Sequence, residues 1–203
     1  MTIDTAIALR HLRRVEPRFA PLIEEHGPPR FSRTRNSFRS LVHAIIYQQI
    51  SGSAAAAIYR RFCDLFDCRG FPTPAAVVEL EVDELREAGL SRQKAIYISE
   101  VALTFVDGSI APRRFNSMTN DEISEVLTAV KGIGQWSADM FLMFALNRPD
   151  ILPVGDLGIR KGMKKFFRLR SLPEPPRMIE RAEPWQPWRS VASWYMWRVL
   201  ESE

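Results

Sequence analysis

The chain has 203 residues and a formal net charge of +4, and hydrophobic residues make up 46% of it; this excludes a disordered linker and leaves room for one sizeable core or two small ones. No run approaches the roughly 18–20 consecutive apolar residues that span a bilayer, and residues 1–14 lack the apolar stretch and cleavage site of a secretory leader. The two cysteines, Cys63 and Cys68, are too few for a disulfide framework or a four-cysteine metal or iron–sulfur site, so a reducing compartment, cytoplasmic or nuclear, and no membrane partner are expected.

In chain order the apolar spacing is helical almost throughout. Residues 6–15 and 17–26 read as helices. Phe38, Leu41, Ile45 and Ile46 share one helical face. An alanine-rich stretch over 54–66 is a strong helix former. Ser91 caps a helix through Ile96, Ile98, Val101 and Phe105. Thr119 and Glu122 have capping-box spacing ahead of Ile123, Val126, Leu127 and Val130. Helices are then expected over 136–146, 156–168 and 188–200. Pro and Gly gather at 27–29, 70–74, 108–112 and 149–155, marking loops inside a compact unit. Alternating strand patterns are nearly absent. The expected fold is all-α, about ten helices in two packed layers. Basic residues form two clusters, Arg30, Arg33, Arg35 and Arg39, and Arg160, Lys161, Lys164, Lys165, Arg168 and Arg170; a solvated helix face accounts for most of the second, and the net charge is a weak pointer to a polyanionic partner.

The most informative segment is LTAVKGIGQWSA, Leu127 to Ala138. An apolar helix ends, Gly132 and Gly134 flank Ile133, and a new helix begins at once. The glycines permit backbone angles and close approaches that side chains forbid. Ile133 can pin the turn to the core. The new helix presents unpaired N–H groups where a phosphate can sit. By itself Gly-x-Gly is an ordinary αα turn. The downstream residues make it more specific: a helix, a proline-containing loop, and then Asp156 at the head of Leu157-Gly-Ile-Arg-Lys161. Asp150 in the same loop sits close to the preceding helix and reads as a solvated residue.

This arrangement resembles the helix-hairpin-helix DNA glycosylase superfamily, specifically the AlkA type of 3-methyladenine DNA glycosylase. Ala44-Ile-Ile-Tyr-Gln-Gln-Ile-Ser51 resembles the family's first glutamine-rich helix end, and Trp185-Gln-Pro-Trp-Arg-Ser-Val-Ala192, continuing to Trp197, resembles its C-terminal segment. The resemblance covers roughly residues 36–200. It implies a two-lobed fold without the N-terminal β-domain of larger AlkA proteins, with residues 34–136 as one lobe, residues 1–33 plus 137–203 as the other, and a DNA cleft between them.

It also implies roles. Asp156 would be the catalytic carboxylate, stabilising positive charge on the sugar as the N-glycosidic bond breaks and orienting the attacking water; capping the next helix is compatible with that. Lys131, Gly132, Ile133, Gly134 and Gln135 would grip DNA, with a monovalent cation held by backbone carbonyls of 131–135; no other metal and no cofactor is required. Gln49 would fill the gap left by an extruded base, or else be a helix-end glutamine facing water. Trp136, Met140 and Trp197 would form the base pocket, with Tyr195 and Trp194 as weaker candidates and Trp188 and Trp194 read as core. Aromatic faces attract a cationic alkylated purine by ~0.5–2 kcal/mol each. Met140 stands where AlkA-type enzymes often carry an aromatic, which suggests a differently shaped pocket. Lyase-type relatives carry a nucleophilic lysine where this chain has Trp136, so a monofunctional hydrolase is expected. The implied partner is DNA containing alkylated bases, and the chain is expected to be a monomer. Two other readings stay open: a glycosylase for another damaged base, and a non-catalytic helix-hairpin-helix DNA-binding module.

Overall fold

A computed structural model of the chain describes residues 3–31, 34, 36–68 and 70–201. Arg33 and Arg35 of the first basic cluster lie outside the described residues. The described residues form twelve α-helices and no strand, and divide into two compact units, Met1–Arg33 with Leu142–Glu203, and Thr34–Phe141. No described helix is long and apolar enough to cross a membrane.

The Thr34–Phe141 unit holds α3 (Ser37–Tyr47), α4 (Gly52–Asp64), α5 (Pro74–Val78), α6 (Val82–Arg86), α7 (Arg92–Val106), α8 (Asn120–Thr128) and α9 (Gln135–Met140). Their starts follow from local chemistry. Asn36, Ser51, Thr73, Ser91 and Thr119 each accept a hydrogen bond from an N–H in the first turn of the helix they open. The Thr119–Glu122 capping box is formed in both directions. Leu41, Val42, Ile45 and Ile46 of α3 are completely buried, as are Ile98, Val101 and Ala102 of α7 and Ile123 and Leu127 of α8. The sequence expectation omits α5 and α6, because five residues are too few to display a helical period.

The other unit holds α1 (Thr5–Val15), α2 (Phe19–His26), α10 (Leu157–Phe166), α11 (Pro175–Ala182) and α12 (Arg189–Arg198). Its core is strongly aromatic. Phe19 meets Phe166 at 4.8 Å, Trp185 at 5.3 Å and Tyr195 at 6.0 Å between ring centroids, mostly edge to face. The helix expected over 136–146 is only half correct: α9 passes at Phe141 into a π-helical segment, Phe141–Ala145. Asn147 ends it in a left-handed conformation (φ 53°), and the Arg148 N–H reaches back to the Leu142 carbonyl. The wider turns alter which side chains face outward, and π segments of this kind are concentrated at functional sites.

α10 and α12 approach closely because α10 carries glycine at 158 and 162. A Cβ at Gly162 would lie 2.0 Å from the Met196 backbone carbonyl oxygen, so any side chain there must push the helices apart. Gly155, by contrast, has open space where a Cβ would go. Gly162→Ala is therefore expected to lower unfolding free energy by ~2–3 kcal/mol or more, and Gly155→Ala to stay within about 0.5 kcal/mol of wild type. Urea unfolding midpoints check both; equal midpoints would contradict the close-packing account.

Candidate active site

Asp156 is the N-cap of α10, in an extended conformation, and its Oδ1 accepts the Ile159 N–H at 2.7 Å. The same oxygen accepts the Trp197 indole N–H at 2.9 Å. Two donors on one oxygen fix the rotation of the carboxylate. Trp197 reaches it across residue 158, where a Cβ would lie 2.7 Å from the indole Cδ1 and 3.0 Å from Asp156 Oδ1. α12 also secures the start of the loop that carries Asp156. Arg189 makes a bidentate pair with Asp150, Nε to Oδ1 at 2.6 Å and Nη2 to Oδ2 at 2.8 Å. Ser190 Oγ donates to the Arg148 carbonyl at 2.6 Å and accepts the Ile151 N–H at 3.0 Å. Asp150 is thus a fastening residue rather than the solvated loop residue expected from sequence. Its partner stands 39 positions away, beyond the reach of any local pattern.

Beside the carboxylate, Trp197 stacks on Phe144 (6.0 Å, 30°), and Phe144 on Phe31 (6.0 Å, 22°). Phe144 projects from the π-helical segment and keeps 41% of its surface exposed. Neither phenylalanine belongs to the pocket expected from sequence. The π segment that aims Phe144 outward leaves no pattern in residue order. Of the weaker pocket candidates, Tyr195 is corrected. Tyr195 is fully buried and donates its hydroxyl to the Gly27 carbonyl at 2.7 Å, and burial pushes its pKa up to about 12. Trp194 is half-buried, with the Arg198 guanidinium 4.6 Å over its ring. Trp188 is half-buried against the core. Trp136, 40% exposed, and the half-buried Met140 lie on α9, in the Thr34–Phe141 unit.

Within that unit the hairpin presents backbone rather than side chains. Gly132 has φ 96°, and a Cβ there would lie 2.1 Å from Tyr97 Cγ, so both conformation and packing demand glycine. Gly134 differs from the sequence expectation. It caps α9 in ordinary extended geometry, with nothing within 4 Å of where a Cβ would lie. Ile133 is buried and Lys131 exposed. Gln135 is an exposed residue whose side chain is held within its own unit. Its amide donates to Asp139 Oδ1 at 2.8 Å and lies 3.0 Å from Ser124 Oγ, turned toward α8. Gln48 Nε2 donates to the Gly132 carbonyl and to Ser137 Oγ, both at 3.2 Å. The Gly134 carbonyl accepts the Ala138 N–H at 3.1 Å. Of the 131–135 carbonyls that would hold a monovalent cation, those of Gly132 and Gly134 thus already accept hydrogen bonds. Gln49, exposed, sits in the left-handed region at φ 56°. Among the described residues no group of three His, Cys, Asp or Glu side chains is placed to hold a metal. In the basic clusters, Arg160 pairs with Glu174 at 3.0 Å and Arg39 donates to the Tyr59 hydroxyl at 2.8 Å, while Lys161 is exposed.

Residues 42–187 match the sequence profile of the HhH-GPD superfamily base excision DNA repair proteins. The chain belongs to this family. The HhH-GPD chain is 32% identical over 183 residues to DNA-3-methyladenine glycosylase 1 of Schizosaccharomyces pombe, covering 90% of this chain and 80% of that one. Among solved structures it is similar to the S. pombe 3-methyladenine DNA glycosylase in complex with abasic DNA (TM-score 0.85, 31% identity, 95% of each chain). It is also similar to the DNA-3-methyladenine glycosidase of Bacillus halodurans (TM-score 0.86, 31% identity, 100% of this chain and 92% of that one).

One acid in this HhH-GPD fold is anomalous. Asp139, 8% exposed on α9, accepts the Gln135 amide, and burial raises its pKa from 3.8 to about 6. As pH rises from 3.8 toward 6 the unfolded carboxyl ionises first, so stability falls across that window and the penalty is constant above it. Asp139→Asn keeps an acceptor for Gln135 without the charge. It should stabilise the protein at pH 7.5 by on the order of 1–3 kcal/mol, with the gain vanishing below pH 4. Thermal melts at both pH values check this; an equal shift at both would remove the buried carboxylate as the cause.

Proposed function

We propose that this chain is a monofunctional DNA glycosylase that hydrolyses the N-glycosidic bond of alkylated purines, such as 3-methyladenine and 7-methylguanine, in base excision repair, acting as a monomer on DNA. One observation carries the reading: a carboxylate, Asp156, locked by the Trp197 indole, whose ring in turn stacks on the exposed ring of Phe144. The names of the relatives agree with it.

The chemistry follows from that geometry. As the bond between C1′ and the base nitrogen breaks, its electron pair leaves with the base and positive charge develops on the sugar. A fixed carboxylate stabilises that charge and directs water to C1′; the C1′–O bond forms and a proton of the water is released. An alkylated purine is already cationic, so it departs neutral without a strong general acid, and its electron-poor ring stacks favourably on aromatic faces. Phe144 and Phe31 extend the indole of Trp197 into an aromatic wall on the Asp156 unit. The hairpin of the other unit leads into the N-terminus of α9, whose dipole favours a phosphate. Gln49, presented outward in a strained conformation, would fill the gap left by the extruded base. With Trp136 in the position of a lyase lysine, no covalent sugar adduct forms.

Asp156→Asn retains an equally good helix cap, so folding and DNA binding should survive while single-turnover release of 7-methylguanine from duplex DNA falls by about 10²–10⁴-fold. Release near the wild-type rate would sink the assignment. Borohydride should trap no protein–DNA adduct with the wild type, and a trapped adduct would show that a lyase step exists.

A further inference from the structure

α3 ends at Tyr47 just before Gln49, and the final carbonyls of a helix have no partner within it. Here one of them, together with the carbonyl of the C-cap Gln48, is taken by a side chain from another helix. Lys94, in the first turn of α7, donates from Nζ to the Ile46 carbonyl at 2.8 Å and to the Gln48 carbonyl at 2.7 Å. A cation at the negative end of the α3 dipole is favoured electrostatically, and charge-assisted hydrogen bonds are the strong ones. Burial lowers the Lys94 pKa, in keeping with an ammonium drawn partly out of water to meet these carbonyls. Gln48 is held a second time by its side chain, which reaches the Gly132 carbonyl and Ser137. The next residue, Gln49, is in the left-handed region, which a non-glycine side chain occupies only when its neighbours impose it. Three residues after Lys94, Tyr97 packs on Gly132, so one end of α7 bears on both the Gln49 turn and the hairpin. A groove of about 630 Å³ is lined by both, with Gln49, Lys94, Tyr97 and Lys131 among its walls.

We propose that Lys94 is a positioning residue for Gln49, its ammonium pinning the carbonyl end of α3 so that the Gln49 turn is held rigid when a base is driven out of the duplex. The inference rests on the reading of Gln49 as the gap filler. Its consequence is a selective one. Extruding a base from paired duplex needs a stiff wedge, whereas a lesion already unpaired in a bubble needs little help. A loosened turn therefore slows the first reaction far more than the second. Methionine has a similar reach to lysine and no donor. Arginine has donors enough for both carbonyls.

The test is single-turnover excision of one 7-methylguanine in a matched duplex and in a bubble, with thermal melts alongside. Lys94→Met should slow the duplex reaction by about 10–100-fold, the scale of losing a charge-assisted hydrogen-bond pair, and the bubble reaction far less. Lys94→Arg should restore most of the duplex rate. Gln49→Ala should show the same duplex-selective loss, and the double variant little more than either single one. If Lys94→Met slows both substrates equally, or merely lowers the melting temperature, Lys94 is structural and the proposal is overturned while the Gln49 reading stands. If Gln49→Ala shows no preference for duplex, the gap-filler reading itself fails and takes the proposal with it.

Discussion

The hydrogen bond from the Trp197 indole to Asp156 Oδ1 sets a distance that the surrounding structure has to respect. A side chain on α12 must come within hydrogen-bonding reach of the residue that caps α10, which leaves no space for a side chain on the face of α10 between them. Gly158 and Gly162 supply that bare face. The aromatic core beneath, with Phe19, Phe166, Trp185 and Tyr195 in tilted and edge contacts, supports the two helices at this separation. The same α12 fastens the upstream loop through Arg189 and Ser190. The carboxylate is thus fixed from the loop before it, the helix after it and the helix packed across it. That is the kind of preorganisation an electrostatic role requires, because no rearrangement is left to be done as charge develops.

The Thr34–Phe141 unit solves a different problem with backbone. Its hairpin is shaped by Tyr97 packed against Gly132, by the buried Ile133 and by a Gln48 side chain that ties the turn to the end of α3. Gly134 then leaves the head of α9 bare. A surface made of amides suits phosphates, which every nucleotide carries, and carries no sequence information. Gln135, exposed at the start of α9, is steadied by hydrogen bonds to Ser124 and Asp139. The buried carboxyl of Asp139 is a cost accepted within this arrangement, and the amide that meets it is the same one that reaches α8.

A damaged cationic base makes modest demands on catalysis and larger ones on recognition, since its leaving-group ability is built in. On the Asp156 unit one anchored acid stands beside a row of exposed or half-exposed rings, Phe31, Phe144 and Trp197. The π-helical segment Phe141–Ala145 supplies Phe144 to that row.

Residue order by itself determined whatever depends on neighbours three or four positions apart. The cap at Ser91, the Thr119–Glu122 box, the Asp156 cap and the apolar faces of α3, α7 and α8 are all legible, because the donors, acceptors and buried atoms concerned lie within one turn of each other. The Gly132–Gly134 hairpin and Asp156 stand out for the same reason, and with Trp197 they are enough for a resemblance to a family. Tertiary structure decided the rest. Lys94 meets carbonyls 46 and 48 positions away and Arg189 meets an acid 39 away. Phe31 joins the aromatic wall from the other end of the chain, and Phe144 faces outward because of a π segment with no signature in sequence. The five-residue helices α5 and α6 exist because packing stabilises them, not because five residues can display a period. Asp156 was visible as a carboxylate after a hairpin; that it is held by the Trp197 indole across a missing Cβ is a property of two helices in contact, which no linear pattern encodes.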